Sequence, residues 1–344
     1  MAINFSVTSA ERSEEIIRFL CQSFGITKLP PNLSAETQAW KNFVPHPWWP
    51  TARSYVLETE NGIEVHGSVA PVRFAAGDAV LESMVIVDWA SGHLVPGGGL
   101  LLCRRCMEAG KASMLAIGGS EDTLRLLPKV PWFAAQAELR WYARPIKPWH
   151  RFLRSPRSIR DLLKFFRNVQ WKLYPALPLA GKWTCRHARD NDPVAIPSGD
   201  FIPILRTRPW IDYLSACPAA QCSLWILENE GVPRGHTLIA NLHGSARVAD
   251  FALEGRSTLE SSTQAFSALV QTLAGQDDVI ELVAASSLEQ EISAFEACGL
   301  RHVRRSPVLL ADLRKTFPQN VPLEIKPMLS DAFYLYNPAN PFLL

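Results

Sequence analysis

The sequence has no uncharged apolar run of the length, about 20 residues, that a membrane-spanning helix requires. Its first residues contain no basic segment followed by an apolar stretch, so we expect no signal peptide. Cysteine is scarce, at seven of 344 residues, and an odd number favours reduced thiols over a disulfide framework. These absences predict a cytoplasmic protein.

Several catalytic motifs are absent as well. No Gly-Lys-Ser/Thr is present to complete a P-loop, and no Gly-x-Ser-x-Gly marks a serine nucleophile. Cys103 and Cys106 form a lone C-x-x-C without a second ligand pair, and their spacing is typical of packing on one helix face. We therefore expect no metal. A net charge of +2 and the lack of a recognition motif predict no sequence-specific nucleic-acid binding.

One order of elements occurs twice along the chain. In the first half, periodicity and the Asn61-Gly62 turn pair predict strands and helices. The strands are at 3–7, 54–58, 63–74, 81–90, 113–117 and 134–143, and the helices at 14–24, before 110 and at 122–127. The second half repeats the order, with strands at 221–228, 237–242, 247–253, 279–285 and 303–310 and helices at 259–273 and 289–297. We predict two copies of one fold.

Three consecutive glycines, Gly97-Gly98-Gly99, connect the strand at 81–90 to the helix that follows it. Free backbone N–H groups at such a helix start form a nest that suits a phosphate or diphosphate, and glycine leaves the approach open. The alternatives are a tight turn without a ligand and a loose dinucleotide-binding motif with Glu121 as its distal acid. We favour a phosphate-bearing cofactor.

This arrangement resembles the GNAT superfamily of acyl-CoA-dependent N-acyltransferases in a tandem two-domain form. The resemblance covers residues 1–145 and, more faintly, 200–312. It implies a mixed α/β (α+β) fold in which each domain has a mixed, largely antiparallel sheet flanked by helices. It also implies acetyl-CoA or another acyl-CoA as co-substrate, with its diphosphate on the turn and its pantetheine arm beside the preceding strand. The cofactor-binding residues so implied are Trp89, Leu94, Val95, Gly97, Gly98, Gly99, Leu100 and Leu101.

The second copy differs at the corresponding turn, which reads Glu254-Gly255-Arg256-Ser257. A carboxylate there would repel a diphosphate, so we expect this copy to support the first or to shape the acceptor cleft. Pairs of one active and one degenerate copy resemble the Fem-type aminoacyl transferases and related polysaccharide-modifying acyltransferases. The aminoacyl transferase alternative would use charged tRNA.

Two carboxylates are candidate catalytic residues. Asp88 is placed to deprotonate an acceptor ammonium directly or through water, although Asp250 stands at the same place in the second copy and favours a structural role. Glu121, after the next strand, is a weaker candidate that could simply cap a helix. The Asn and Tyr that the GNAT family often carries are not found in the corresponding segment, so their roles are not transferred.

The remaining segments give the predicted domain limits: 1–145 with the cofactor loop, 146–197 as connector, 198–315 as degenerate copy and 316–344 as tail. Between residues 140 and 189 there are thirteen Lys/Arg and one acid. The connector's helix at 158–173 combines basic and apolar faces, so residues 151–172 are a candidate peripheral membrane contact.

The predicted function is acyl-CoA-dependent N-acyl transfer, with acetyl favoured, by direct attack of an amine acceptor on the thioester. The acceptor would be a small molecule or glycan, such as a sugar or a cell-envelope polysaccharide precursor. The alternatives are a degenerate binding protein at the membrane surface and the Fem-type transferase.

Overall fold

The computed structural model describes residues 3–154, 159–337 and 342–344. The helices in these ranges are α1 (Ser13–Ser23), α2 (Ala35–Asn42), α3 (Gly98–Gly110), α4 (Glu121–Leu126), α5 (Pro148–Arg154), α6 (Ile159–Leu173), α7 (Arg208–Ser215), α8 (Leu259–Ala274) and α9 (Glu289–Ala297). The predicted start of α6 at residue 158 lies outside the described residues. Across the described part of the chain, the helices are all too short or too polar to traverse a bilayer.

The strands all belong to one sheet. They are β1 (Asn4–Val7), β2 (Ser54–Thr59), β3 (Gly62–Ala76), β4 (Ala79–Ser91), β5 (Ser113–Ile117), β6 (Phe133–Pro145), β7 (Trp183–His187), β8 (Gln221–Asn229), β9 (Val232–Leu242), β10 (Ser245–Leu253), β11 (Glu281–Ser286) and β12 (Arg301–Ala311). Neighbouring strands run antiparallel except β4 with β5 and β10 with β11. The predicted mixed, largely antiparallel fold is confirmed.

Local signals in the sequence explain many of these elements. Asn61 and Gly62 make the tight connection between β2 and β3, where Gly62 has a φ of +107° that favours glycine. Thr258 and Ser261 form a reciprocal capping box at the start of α8. Both features depend only on neighbours in the chain.

The two halves of the chain exchange their last strands. The sheet order is β1-β2-β3-β4-β5-β12-β6-β11-β10-β9-β8-β7. Thus β12 from the second half pairs with β5, whereas β6 from the first half pairs with β11. The two strands also pair with each other. The two copies therefore share one continuous sheet, and the domain limits placed by the sequence stay a prediction.

The C-terminal tail packs into the largest core cluster. Phe333 and Tyr334 are buried there beside Trp40 and residues of both halves. Their burial holds the tail against the body of the protein. This packing carries residues 331–337 to the face of the sheet where β4 and β5 separate.

Candidate active site

The parallel strands β4 and β5 pair over a short distance and then separate. Three register pairs join them, from Ser83 with Ser113 to Val85 with Leu115. Beyond that point β4 continues to Ser91 and β5 to Ile117 without further pairing. The separation leaves a gap between two interior strands of the sheet.

A bulge in β4 lies where the strands part. His66 of β3 pairs with Ala90 and Ser68 pairs with Val87, so that two β4 residues, Asp88 and Trp89, oppose Gly67. Asp88 has a left-handed φ of +47°, which bends the strand. A Cβ on Gly67 would lie 2.9 Å from the side chain of Ile86, so any larger residue opposite the bulge would force that side chain to shift.

The Asp88 carboxylate is buried and engaged at Oδ2. It forms an ion pair with Lys41 of α2 and accepts a hydrogen bond of 3.1 Å from Gln38 Nε2. Burial alone would raise the pKa of Asp88, but the Lys41 ammonium and its hydrogen bond outweigh this effect and hold the pKa below its ordinary value. The carboxylate is thus a permanent anion that ties α2 to the bulge.

His66 supports the bulge from the neighbouring strand. Its Nδ1 lies 3.0 Å from the backbone oxygen of Asp88, and its Nε2 lies 3.0 Å from Ser54 Oγ. Burial lowers the pKa of His66 to about 4, so the ring is neutral at physiological pH. A neutral ring that donates from Nδ1 accepts the hydroxyl proton of Ser54 at Nε2, which satisfies both nitrogens.

The second half builds a related network around Asp250. Arg206 binds its carboxylate in bidentate fashion at 2.8 Å, and His236 Nε2 lies 2.9 Å away. Here the place beside the carboxylate is occupied by Glu324, which is fully buried and also paired with Arg206. The shared Asp and His confirm the internal repeat, and in this half one buried cation, Arg206, pairs with two acids.

A cavity of about 780 Å³ opens between the separated strands. Its walls come from the loop after α1, the β4 bulge, the turn after β5, both exchanged strands and the C-terminal tail. Its lining includes Lys28, Asp88, Trp89, Arg304 and Asp331. Because β12 and the tail belong to the second half, the cavity is completed by residues from both halves.

The glycine turn begins α3 without a side-chain cap. Gly97 is the N-cap residue with a left-handed φ of +71°. The N–H of Gly98 is donated to Val95 O at 2.9 Å. The N–H groups of Gly97, Gly99 and Leu100 have no acceptor within the described ranges. These three donors make an anion site available here, whereas the capping box satisfies the corresponding end of α8.

Trp89 connects the glycine turn with the cavity. A Cβ on Gly99 would lie 2.8 Å from the Trp89 ring, so glycine allows the indole to pack against the start of α3. The same residue lines the cavity, and its Nε1 is buried without a partner in the described part of the chain. Gly98 packs equally closely, on Val65 of β3. The indole N–H is therefore a further donor awaiting an acceptor.

The other residues of the predicted cofactor set lie around the turn rather than in the cavity. Leu94 and Leu101 are exposed, Leu100 is half-buried and Val95 is buried. None of them lines the cavity. The structure thus divides the predicted set into a partly buried turn at the start of α3 and one cavity-lining residue, Trp89.

Glu121 lies outside the cavity lining. It stands exposed in the first turn of α4, whose cap is Ser120 Oγ accepting from the Thr123 N–H at 3.2 Å. The C-x-x-C thiols are also remote from the cavity, because Cys103 and Cys106 are buried in a separate core cluster. Burial raises the pKa of Cys103 to about 12, so this thiol is inert.

Sequence patterns do not mark the second carboxylate that lines the cavity. Asp331 is half-buried at the start of a short 3₁₀ turn, Asp331–Phe333, in the tail. Burial, together with the negative charge of Asp88, raises the pKa of Asp331 to about 6, against the opposing effect of Lys41. The sequence near Asp331 indicates only that this segment packs against the protein, because the aromatic residues Phe333 and Tyr334 follow it.

Solved structures share this architecture. Saccharomyces cerevisiae N-myristoyltransferase with bound myristoyl-CoA aligns with 90% of this chain and 82% of its own, with a TM-score of 0.59 and 12% identity. A GCN5-related N-acetyltransferase from Anabaena variabilis ATCC 29413 aligns with 90% of this chain and 72% of its own (TM-score 0.53, 10% identity).

A probable N-acyltransferase of unknown function from Enterococcus faecalis V583 gives the same coverage, with a TM-score of 0.55 and 10% identity. Neither the protein-family models nor the curated proteins include a match to this chain. At these identities the likeness shows the fold, and the expected GNAT fold is confirmed.

Proposed function

We propose that the protein is an acyl-CoA-dependent N-acyltransferase. The observation that carries this proposal is the gap between β4 and β5, which opens at the Asp88 bulge into a cavity of about 780 Å³ beside the uncapped start of α3. The likeness to N-acetyltransferase and N-myristoyltransferase structures supports the same activity. Acyl-CoA is the co-substrate in this proposal.

The donors around α3 fit the diphosphate of a coenzyme A. Three backbone N–H groups, from Gly97, Gly99 and Leu100, and the buried Trp89 Nε1 lack acceptors within the described ranges. Each favourable charge contact at a helix start contributes about 0.3–1 kcal/mol at exposed sites, so several must act together. Pantetheine would then follow β4 past Trp89 into the cavity.

In the proposed reaction, the amine nitrogen attacks the thioester carbon while the fold holds both groups together and excludes water. A backbone N–H at the β4 bulge would polarise the thioester carbonyl. Asp88 serves this step as a positioning residue, because its ion pair with Lys41 holds the bulge in place. Glu121 has no part in it, since its exposed side chain does not line the cavity.

The acceptor that we propose is a small amine, with the amino sugar of a polysaccharide precursor as the first class to examine. Acetyl is the first acyl group to examine. The direct experiment is calorimetric titration of the purified protein with acetyl-CoA and myristoyl-CoA, followed by measurement of thiol release with a panel of amines. Binding of one acyl-CoA and amine-dependent thiol release support the proposal. Absence of binding for both donors would refute it.

A second candidate function is contact with an anionic membrane surface, and the exposed face of α6 favours it. Ile159 is 82% exposed and Phe166 60% exposed, with Leu163 beside them. Lys164 and Arg167 lie on the same helix. An apolar helix face flanked by basic side chains is typical of an interfacial helix.

Flotation with phosphatidylcholine vesicles containing phosphatidylserine tests this contact. We expect the double variant L163S/F166S to lose more than about tenfold in vesicle binding, since each side chain contributes about 1.5–3 kcal/mol when buried. The control is V232S, an exposed valine on β9. Equal flotation of the double variant and the control would remove this candidate.

A further inference from the structure

The C-terminal segment, residues 331–337, forms one wall of the cavity and is held there by the second half. Arg247 of β10 donates from Nη1 to Ala332 O at 3.1 Å and to Leu335 O at 2.6 Å. Ser330 caps the short turn by accepting from the Ala332 N–H. The backbone that carries Asp331 is therefore fixed on both sides.

Within this fixed frame, the Asp331 carboxylate interacts with its own backbone N–H. It lines the cavity, and no side chain of the described residues donates a hydrogen bond to it. The charges that act on it come from Asp88 of β4 and Lys41 of α2. Arg304 and Lys28 line other parts of the same cavity. A titratable oxygen therefore faces the space in which substrates would meet.

We propose that Asp331 is the general base that accepts the proton of the acceptor ammonium. The inference rests on the proposed acyl transfer and adds the residue that performs its proton step. Asp88 is a poorer base, because Lys41 and Gln38 both contact its Oδ2 and the ion pair with Lys41 lowers the pKa of the carboxyl. In this assignment Asp88 stays ionised and holds the bulge, whereas Asp331 exchanges a proton with the acceptor.

The proton and electron balance of this step is simple. One N–H proton of the ammonium passes to the Asp331 carboxylate, and the freed lone pair forms the bond to the thioester carbon. The C–S bond breaks, and its electron pair leaves on sulfur. The thiolate receives the second proton from the nitrogen as the amide forms. Asp331 then releases its proton to solvent.

The test compares acceptors that differ in protonation. Ethanolamine is an ammonium ion at neutral pH, whereas hydroxylamine is largely uncharged and needs no base. We expect D331N to reduce thiol release from acetyl-CoA with ethanolamine by about 10²–10⁴-fold, the usual contribution of a general base. With hydroxylamine, after subtraction of its enzyme-free reaction with acetyl-CoA, D331N should stay within a few-fold of the wild type. D331E should recover part of the ethanolamine activity.

The matched control is D200N, the same substitution at an exposed aspartate whose partner is Arg256. Equal losses with both amines, or no loss with ethanolamine, would overturn the assignment of Asp331. The wild-type pH profile with ethanolamine is a second readout, and a flat kcat/KM between pH 5 and 8 would also overturn it. A wild type that binds no acyl-CoA and transfers to neither amine would instead refute the proposed function.

Discussion

A negative charge introduced at Gly97 tests whether the turn before α3 binds an anion. This residue has a φ of +71°, it is exposed, and a Cβ added there meets no atom within 4 Å. Asp and Asn both tolerate the left-handed region better than other side chains and have nearly the same shape. The pair Gly97→Asp and Gly97→Asn therefore shares the backbone strain and differs by one negative charge.

The expected difference follows from Coulomb's law. Two charges about 5 Å apart in water interact by about 0.8 kcal/mol, so a carboxylate would repel a doubly charged diphosphate by about 1.7 kcal/mol. At 0.01 M salt, screening leaves about 1.4 kcal/mol, or about a tenfold difference in Kd. At 0.15 M salt it leaves about 0.9 kcal/mol, or about a four- to fivefold difference.

The assay is calorimetric titration of both variants and the wild type with acetyl-CoA at the two salt concentrations. We expect weaker binding by Gly97→Asp than by Gly97→Asn, with a ratio that shrinks as salt rises. Circular dichroism checks that both variants stay folded. Identical Kd values for the pair at low salt would show that no diphosphate sits near this turn, and would refute the reasoning about the free N–H groups.

Three further predictions concern the network behind the cavity. Lys41→Met leaves Asp88 buried without its partner and should destabilise the protein by about 3–5 kcal/mol in urea unfolding, with part of the loss recovered by adding Asp88→Asn. Because the raised pKa of Asp331 means that folding disfavours its ionised form, stability should fall as pH rises from about 4 through about 6. Asp331→Asn should accordingly raise Tm at pH 7 relative to the wild type and have little effect at pH 4. A Tm difference between variant and wild type that is the same at both pH values would contradict this. Arg247→Met removes two hydrogen bonds to the C-terminal segment and should speed proteolysis there, whereas equal cleavage rates would mean that aromatic packing alone holds it.

Local chemistry in the sequence determined most of the elements and one part of the candidate site. The Asn61-Gly62 turn and the uncapped glycines before α3 depend on residues within a few positions of each other. The paired Asp88 and Asp250 were visible as a repeat because both copies use the same strand position. Their structural role follows from buried cations on other elements, and the repeat itself had favoured that role.

The tertiary structure alone decided how the halves combine and which acid faces the cavity. Exchange of β6 and β12 depends on pairing between strands that lie far apart in the chain. The apolar pattern of each strand is compatible with either neighbour, so the pattern does not predict which pair forms. Asp331 acquires its environment only when the tail folds back beside Asp88 and Lys41. Neighbours along the chain set backbone conformation, whereas a carboxylate's proton affinity is set by whatever charges and solvent folding brings around it.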